Sequence, residues 1–418
     1  MKTGRPHIIH LVGSLGAGGV QRLVKSLCVA GELAPFRQSV VPILGTPADN
    51  LATEYHSAGI AVKSCPLLWP TRLPRRPHRL MRFARNLGKA SFPWRLTRLL
   101  KALQADALHS HLTLLIDWQA RVALDSVGIP MVWTIHGDYK PEGEELRRWE
   151  KAVQMGRGAR RLKIVAVSKA VRCDISKRLS HPEEDISVVY SGVDIGRFSQ
   201  PRVCGVGTRD NPWSFPPKSV VFGSAGRLVE EKAYDIFIGA AALVAKANSL
   251  ARFVIAGDGP LRSALLCQIQ KLGLGGRFVL DGFHPDIPAF LRELDVFVLS
   301  SRREGLGMAL VEALAAGLPC IGTETGGIPE ILNVQAGILV PADSVTGLFE
   351  AMRQMFDKKL RDSCAAAAPL AAAPFALRQC ASQYGQIYAQ QVSDATLRAP
   401  YNDGDLLSPA SRSLQPAE

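Results

Sequence analysis

"SRREGLGMALVEALAAGLPC", residues 301–320, decides the fold. It opens as a polar loop with glycines at 305 and 307 and becomes apolar from Met308. It closes on "GLPC", which leads into the β-branched run "PCIGTE" (319–324). Just upstream, "DVFVLSS" (295–301) is another apolar run of strand length. Strand, glycine loop, helix and strand in this order make a crossover unit with parallel strands. One feature does not suit a helix built only for packing. Glu312 falls in the second turn of an otherwise apolar helix, eight residues after Glu304 in the loop.

The same alternation runs outward in both directions. In the first half, "HIIHLVGSL", "RQSVVPILG", "IAVKSCP", "ALHSH", "PMVWTIHG", "KIVAVS" and "ISVVYSGV" read as strands. "VQRLVKSLCVAGEL" and "KAVRCDISKRL" have helical spacing. In the second half the strands are "SVVFGSAGRL", "ARFVIAGDG", "RFVLDGF", "DVFVLSS", "PCIGTE" and "AGILVP", with amphipathic helices between them. Near-continuous apolar strands separated by helices mean parallel sheets covered on both faces. Between the halves, "SQPRVCGVGTRDNPWSFPPK" (199–218) is rich in Pro, Gly and polar residues and reads as a linker. The fold class is therefore α/β, with two doubly wound, Rossmann-like domains facing a central cleft. The expected boundaries are 1–198 for the first domain, 199–218 for the linker and 219–373 for the second domain. A last helix, 374–392, and a polar, disordered tail, 393–418, complete the chain.

Composition narrows the class. The 418 residues exceed one ordinary core, and 47% hydrophobic with 21% charged residues suits a globular protein. The eight cysteines form no CxxC pair, so a reducing compartment is expected, without a disulfide framework or zinc site. The N-terminal "MKTGRPHIIHLVGSLGAGG" reads as a first buried strand, not a signal peptide. No run of about 18 apolar residues is present to span a bilayer. The net charge of +13 is local. Between Glu54 and Asp106 there is no acidic residue but eleven Lys or Arg; without them the 50 basic residues fall to 39, against 37 acidic.

Ligands of open parallel sheets bind beyond the carboxyl ends of the strands. Arg227 and Lys232 stand in the loop after the first strand of the second half, "GSAGRLVEEK". "RREGLG" and "TGGIPE" are glycine loops that enter helices. A helix start offers unpaired N–H groups and partial positive charge, and glycine lets a phosphate come close. The amides of Leu306, Gly307 and Met308 lie between two carboxylates on the order of 10 Å apart. This layout suits a diphosphate without a metal, with Glu312 on a ribose diol and Glu304 on a second sugar.

These residues carry a resemblance. "GAGGVQR", "GRLVEEK", "AGDGPL", "EGLGMALVEALAAGLPC" and "TGGIPEIL" occur in the order found in GT-B-fold retaining glycosyltransferases of the family 4, or group 1, type. "YSGVDIGRF" resembles the segment that ends the first domain there, and the last helix resembles the one that crosses back onto it. The resemblance spans about residues 7–390. It implies a hexosyltransferase-type enzyme moving a sugar from a nucleotide-sugar donor, with retained anomeric configuration and no obligatory metal or other cofactor. Arg227 and Lys232 would neutralise the diphosphate and the leaving group. Gly18 and Gly19 would let backbone approach the donor phosphate, and His136 would face the reaction centre on the donor sugar. The favoured mechanism is front-face displacement, in which a donor phosphate oxygen takes the acceptor proton.

The basic segment 63–101 sets Leu80, Phe83 and Leu87 at helical spacing among arginines, and Trp94, Leu96, Leu99, Leu100 and Leu103 form a second apolar set. Basic amphipathic helices lie on anionic membranes. The expectation is a peripheral enzyme at the cytoplasmic face of the inner membrane, acting on a lipid-linked or cell-surface glycan acceptor such as a lipopolysaccharide intermediate. A solvated helix face and a nucleic-acid patch are the alternatives, the last set aside. His109 and His111 either line the cleft or serve structure, Asp138 either acts in the site or caps a turn, and Gly16 either serves the phosphate or turns the chain. "DGD" (403–405) reads as an accidental match to a metal motif. The rival readings are a nucleotide-sugar epimerase or hydrolase of the same fold, a non-catalytic assembly protein, and a dehydrogenase. The last would need an acidic ribose ligand after the second strand, where only Asp49 stands.

Overall fold

The structure is a computed structural model of the chain. It describes residues 4–16, 18–44, 50–65, 79–112, 126–137, 162–199 and 213–396, with isolated positions between 120 and 150. Two parallel sheets organise it. The first is built from His7–Val12 (β1), Arg37–Pro42 (β2), Ala61–Val62 (β3), Ala107–Ser110 (β4), Met131–Ile135 (β5), Leu162–Ala166 (β6) and Ile186–Val188 (β7). Its order is β3-β2-β1-β4-β5-β6-β7. The second holds Val220–Ala225 (β8), Ala251–Ala256 (β9), Phe278–Gly282 (β10), Val296–Leu299 (β11), Cys320–Thr323 (β12) and Gly337–Val340 (β13). Its order is β10-β9-β8-β11-β12-β13, so each sheet reverses direction beside its first strand.

The central strands are buried throughout because helices cover both faces. β1, β8 and β9 are buried at every position. On one face of the first sheet, Ile9, Leu11, Leu108 and Trp133 meet Phe92, Leu96 and Leu100 of the helix Arg79–Ala102. On the other, Ile8, Val132 and Val165 meet Leu23 and Leu27 of the helix Gly19–Val29. Tyr384 and Tyr388, one turn apart on the final helix Leu377–Thr396, share this layer. Burying each such side chain contributes about 1.5–3 kcal/mol, as an upper estimate.

Several features depart from the sequence reading. The last helix runs to Thr396, past position 393 where a disordered tail was expected to begin, and residues 397–418 lie outside the described residues. Of "IAVKSCP", only Ala61–Val62 pairs, at the sheet edge. A helix at Lys358–Ala372 was not anticipated, because its alanine run and internal Pro369 gave no clear period. The usable signal was Asp357, whose side chain accepts from the Lys359 amide at 2.9 Å as an N-cap. At the linker's end, Trp213 packs edge-on against Phe290 and Phe215 is buried, so this part joins the second domain; residues 200–212 lie outside the described residues. The second apolar set of the basic segment divides. Leu96 and Leu100 face the core, with Leu99 and Leu103 packed against it, and only Trp94 turns outward, 63% exposed with the Arg98 guanidinium 5.7 Å above its ring. Helical periodicity located the stripe but could not say which side met the sheet. Residues 66–78, and the side chains of 79–90, lie outside the described residues. No described helix is long and apolar enough to cross a membrane.

The chain returns to the first sheet through a backbone contact. The Val193 amide donates to Phe375 O at 2.9 Å, and the Leu377 amide donates to Val193 O at 2.8 Å. A Cβ on Gly192 would lie 2.7 Å from the Leu377 Cα and 2.8 Å from the Cys380 Cβ. Neither can yield as a flexible side chain would. Gly192→Ala is therefore expected to cost about 1–3 kcal/mol and lower Tm. Gly275→Ala, where nothing lies within 4 Å, should leave Tm unchanged in the same melting series.

Candidate donor-binding cleft

The carboxyl ends of both sheets face one cavity of about 390 Å³. It lies at the points where the two strand orders reverse, the usual ligand position in such folds. The wall from the second sheet is made by the loops after β8 and β11. The first of these is held by bare backbone. A Cβ on Gly257 would lie 1.8 Å from Gly226 O, and one on Gly259 2.6 Å from Leu228 O. Only glycine allows "AGDG" to lie against "GRL" this way. Arg227 thereby stands exposed at the cleft, with no ion pair among the described residues.

Lys232 ends the short 3₁₀ turn Glu230–Lys232 and pairs with Glu304 Oε1. The Ser301 hydroxyl donates to the same oxygen at 2.9 Å, and the Ser300 hydroxyl to Lys232 O at 2.9 Å. Arg302 braces both loops from behind: its two terminal nitrogens donate to Asp235 at 2.9 and 2.6 Å. The sequence reading gave Lys232 and Glu304 separate tasks. In the structure they hold one another.

Glu304 is placed by its glycine neighbours. A Cβ on Gly326, at φ +52°, would lie 1.7 Å from Glu304 O, and one on Gly305 would lie 2.1 Å from His136 O in the other domain. Gly307, at φ +102°, caps the helix Met308–Ala315, whose first amides have no partner inside the helix. Leu306, Gly307 and Met308 line the cleft there. Glu312 follows in the second turn. Burial pushes its carboxyl up to about 7, against the pull of Arg22, Arg197 and Lys232. Arg22 and Arg197 were not singled out in the sequence. Arg22 lay within "GAGGVQR", in the first turn of a helix whose dipole disfavours a cation there, and that was the available signal.

The first sheet supplies the opposite wall. Gly18 is extended before the helix Gly19–Val29, and a Cβ on Gly19 would lie 3.7 Å from the Met308 Sδ. His136, at the end of β5, is half-buried, and burial pushes its ring down to about 4. Behind it lie His111, His109 and His10, all buried. Burial lowers His10 to about 4 and the other two well below the ordinary histidine value. Three of these rings are close enough to share a metal ion. Their nitrogens, however, are engaged within the protein. His10 bonds Gln38 and His111, His111 bonds His136, and His109 bonds Tyr388 and Thr134. The group is thus a hydrogen-bonded core that reaches the cleft only through His136. Asp138, Asp49 and residues 403–405 lie outside the described residues.

The domains also touch beside the cleft. Glu330 accepts from the amides of Lys169 and Ala170, at 2.9 and 2.8 Å, and from the Tyr190 hydroxyl at 2.9 Å. A carboxylate from one domain therefore caps the helix Lys169–Leu179 of the other. The Ser168 hydroxyl adds a 2.7 Å bond to Gly305 O.

A family profile described as "Glycosyl transferases group 1" matches residues 208–370, and one described as "Glycosyltransferase Family 4" matches residues 17–197. Among curated relatives, the UDP-Gal:alpha-D-GlcNAc-diphosphoundecaprenol alpha-1,3-galactosyltransferase of Escherichia coli is 28% identical over 63% of this chain and 70% of its own. The 2-deoxystreptamine N-acetyl-D-glucosaminyltransferase of Niallia circulans is 29% identical over 52% and 58%. The lipopolysaccharide core mannosyltransferase LpsB of Rhizobium meliloti is 29% identical over 48% and 60%. The chain thus spans between 58% and 70% of the length of these relatives. Among solved structures, a glycosyltransferase from Rickettsia africae superposes with a TM-score of 0.75 at 17% identity, covering 93% of this chain and 99% of the other. Anabaena HepE in complex with UDP-glucose gives 0.74 at 20%, with the same coverage. With one profile on each sheet domain, the chain belongs to the group 1, family 4 glycosyltransferases and has the GT-B fold.

Proposed function

We propose that the chain is a retaining glycosyltransferase that moves a sugar from a nucleotide-sugar to a lipid-linked or cell-surface glycan acceptor. One observation carries this reading. Arg227, the Lys232–Glu304 pair, a helix start and Glu312 converge from one sheet, opposite a glycine loop and His136 from the other. The diphosphate lies between Arg227, Lys232 and the amides at the start of the helix Met308–Ala315. Glu312 takes the ribose diol. Phe283, 52% exposed within the cleft, offers its ring face to the base. Glu304 and His136 hold the transferred sugar. The acceptor hydroxyl attacks from the face the leaving group occupies and gives its proton to the departing phosphate oxygen. Arg227 and Lys232 stabilise the charge that grows there, without a metal.

The acceptor class rests on two supports. The names of the Escherichia coli and Rhizobium relatives include a diphosphoundecaprenol acceptor and a lipopolysaccharide core. This chain also carries its excess charge on one segment, where Trp94, Arg98 and Lys101 are exposed. That segment docks the enzyme on the anionic cytoplasmic face of a membrane. Protein bound to vesicles containing anionic lipid should be released as salt rises, because exposed charges are screened. Equal, salt-insensitive partition onto neutral vesicles would overturn the electrostatic dock.

Arg227→Ala and Lys232→Ala should each lower turnover about 10²–10³-fold, as loss of one preorganised charge does. Wild-type rates in both would overturn the diphosphate seat. Donor incubated alone should persist; its rapid conversion would mark an epimerase or hydrolase instead.

Glu312 sets a pH dependence. A ribose diol donates to the carboxylate, so donor binding favours the ionised form. With its carboxyl at about 7, the group is mostly protonated at pH 6 and ionised at pH 8. Affinity for a nucleotide-sugar, whose diphosphate diester does not titrate here, should rise about 10-fold across that range. Titration calorimetry of wild type against Glu312→Gln checks this, and the variant's profile should be flat. The stability term has the opposite sign. A raised carboxyl favours the protonated native form, so stability falls as pH rises from about 4.5 through about 7.

A further inference from the structure

We propose that Gln38, His10 and His111 are positioning residues that fix His136 as its Nε2–H tautomer, leaving Nδ1 as the ring acceptor at the donor cleft. The chain of bonds has one direction, and a helix end sets it. Carbonyls at the C-terminal end of the helix Gly19–Val29 can only accept, and Leu27 O already takes the Ala30 amide at 3.1 Å. Two of them, Leu27 O and Cys28 O, each lie 3.4 Å from Gln38 Nε2. The amide nitrogen must face them, so Oε1 faces His10 Nε2 at 2.9 Å. An amide oxygen only accepts, so His10 carries its proton on Nε2.

The remaining assignments follow by elimination. A neutral His10 with its proton on Nε2 has a bare Nδ1. His111 Nε2, 3.1 Å away, must donate to it. His111 then has a bare Nδ1, and His136 Nε2, 3.0 Å away, donates in turn. Neutrality is required for this. An imidazolium at any link would set donor against donor or reverse every link beyond it. Burial favours the neutral rings. The charged or titratable groups beside the chain reinforce this. His7 depresses His10, and His109, with its ring centroid 3.8 Å from that of His111, depresses His111. His109 belongs to a separate branch, through Thr134 Oγ1 and the Tyr388 and Tyr384 hydroxyls of the last helix.

A fixed tautomer matters where a ring must accept. A sugar hydroxyl can donate to His136 Nδ1 only while that nitrogen is bare, and an imidazole in the wrong tautomer fails its task. The use of the relay thus rests on the transfer reading above, but its existence does not. The test is nitrogen NMR of full-length protein labelled with ¹⁵N-histidine, with resonances assigned through His10→Phe and His136→Phe. His10, His111 and His136 should all show a protonated Nε2 and a bare Nδ1. A protonated Nδ1 on His136 in the wild type would overturn the proposal. Gln38→Met keeps the side-chain length but removes the amide, so it should give mixed tautomers at all three rings. Unchanged tautomers there would overturn the role of Gln38. With a working donor, Gln38→Met should lower kcat about 10-fold or more, with the donor KM within about 2-fold, because the diphosphate seat belongs to the other domain. A kcat at the wild-type value despite mixed tautomers would overturn the relay's part in catalysis. Failure of the transfer reading would show separately, as loss of nucleotide-sugar binding by wild type, while the nitrogen spectrum stayed as stated.

Discussion

The cleft depends on one constraint: two sheets turn their carboxyl ends toward one another, and bare backbone must close the gap. Gly305 leaves no room for a Cβ beside the carbonyl of His136, and Gly326 leaves none beside the carbonyl of Glu304. A side chain at Gly305 would push the two domains apart, and one at Gly326 would push apart the loops after β11 and β12 within the second domain. The hydrogen bonds at Ser168 and Glu330 then secure a contact that the glycines make possible. That approach sets the helix start and the Lys232–Glu304 pair of one domain against the imidazole chain of the other. This is why glycine recurs in the loops that the sequence shows most plainly.

Those loops were legible because their signals are local. Glycines after an apolar strand and before a helix mark a strand-end loop wherever they fall, and "RREGLG" and "GSAGRLVEEK" are such stretches. The helices Lys169–Leu179 and Tyr234–Ala247 were likewise readable, residue for residue, from their spacing and flanks. Contacts between distant elements were not legible. Lys232 and Glu304 stand 72 positions apart, and nothing near either residue marks the other as its partner. The imidazole chain required the sheet order itself, since parallel register sets His10 opposite His109. An isolated histidine in a strand looks the same whether its neighbour is leucine or another histidine. The second apolar set of the basic segment divided for a related reason: Trp94 and Leu96 belong to the same set, and only the sheet beneath decides which is covered.

The two walls differ in charge, and the difference follows from what lies behind each. Behind Arg227, Lys232 and Glu304 stand loops and further charged groups such as Arg302 and Asp235, so formal charge is tolerated. Behind His136 lie buried imidazoles, hydroxyls and the aromatic rings of Tyr384 and Tyr388. A cation placed there would lose its hydration, and each ring already spends its nitrogens on neutral partners. The surroundings of His136 are therefore confined to neutral hydrogen bonding, while Arg22 of the same domain and the facing Arg227 and Lys232 can neutralise an anion. A nucleotide-sugar divides in the same way, into a charged diphosphate and an uncharged sugar rich in hydroxyls. Under the proposed transfer, matching each half to its own wall sets the direction in which the donor lies across the cleft. The transferred sugar would then come to the seam where Gly305 approaches His136, among groups from both domains.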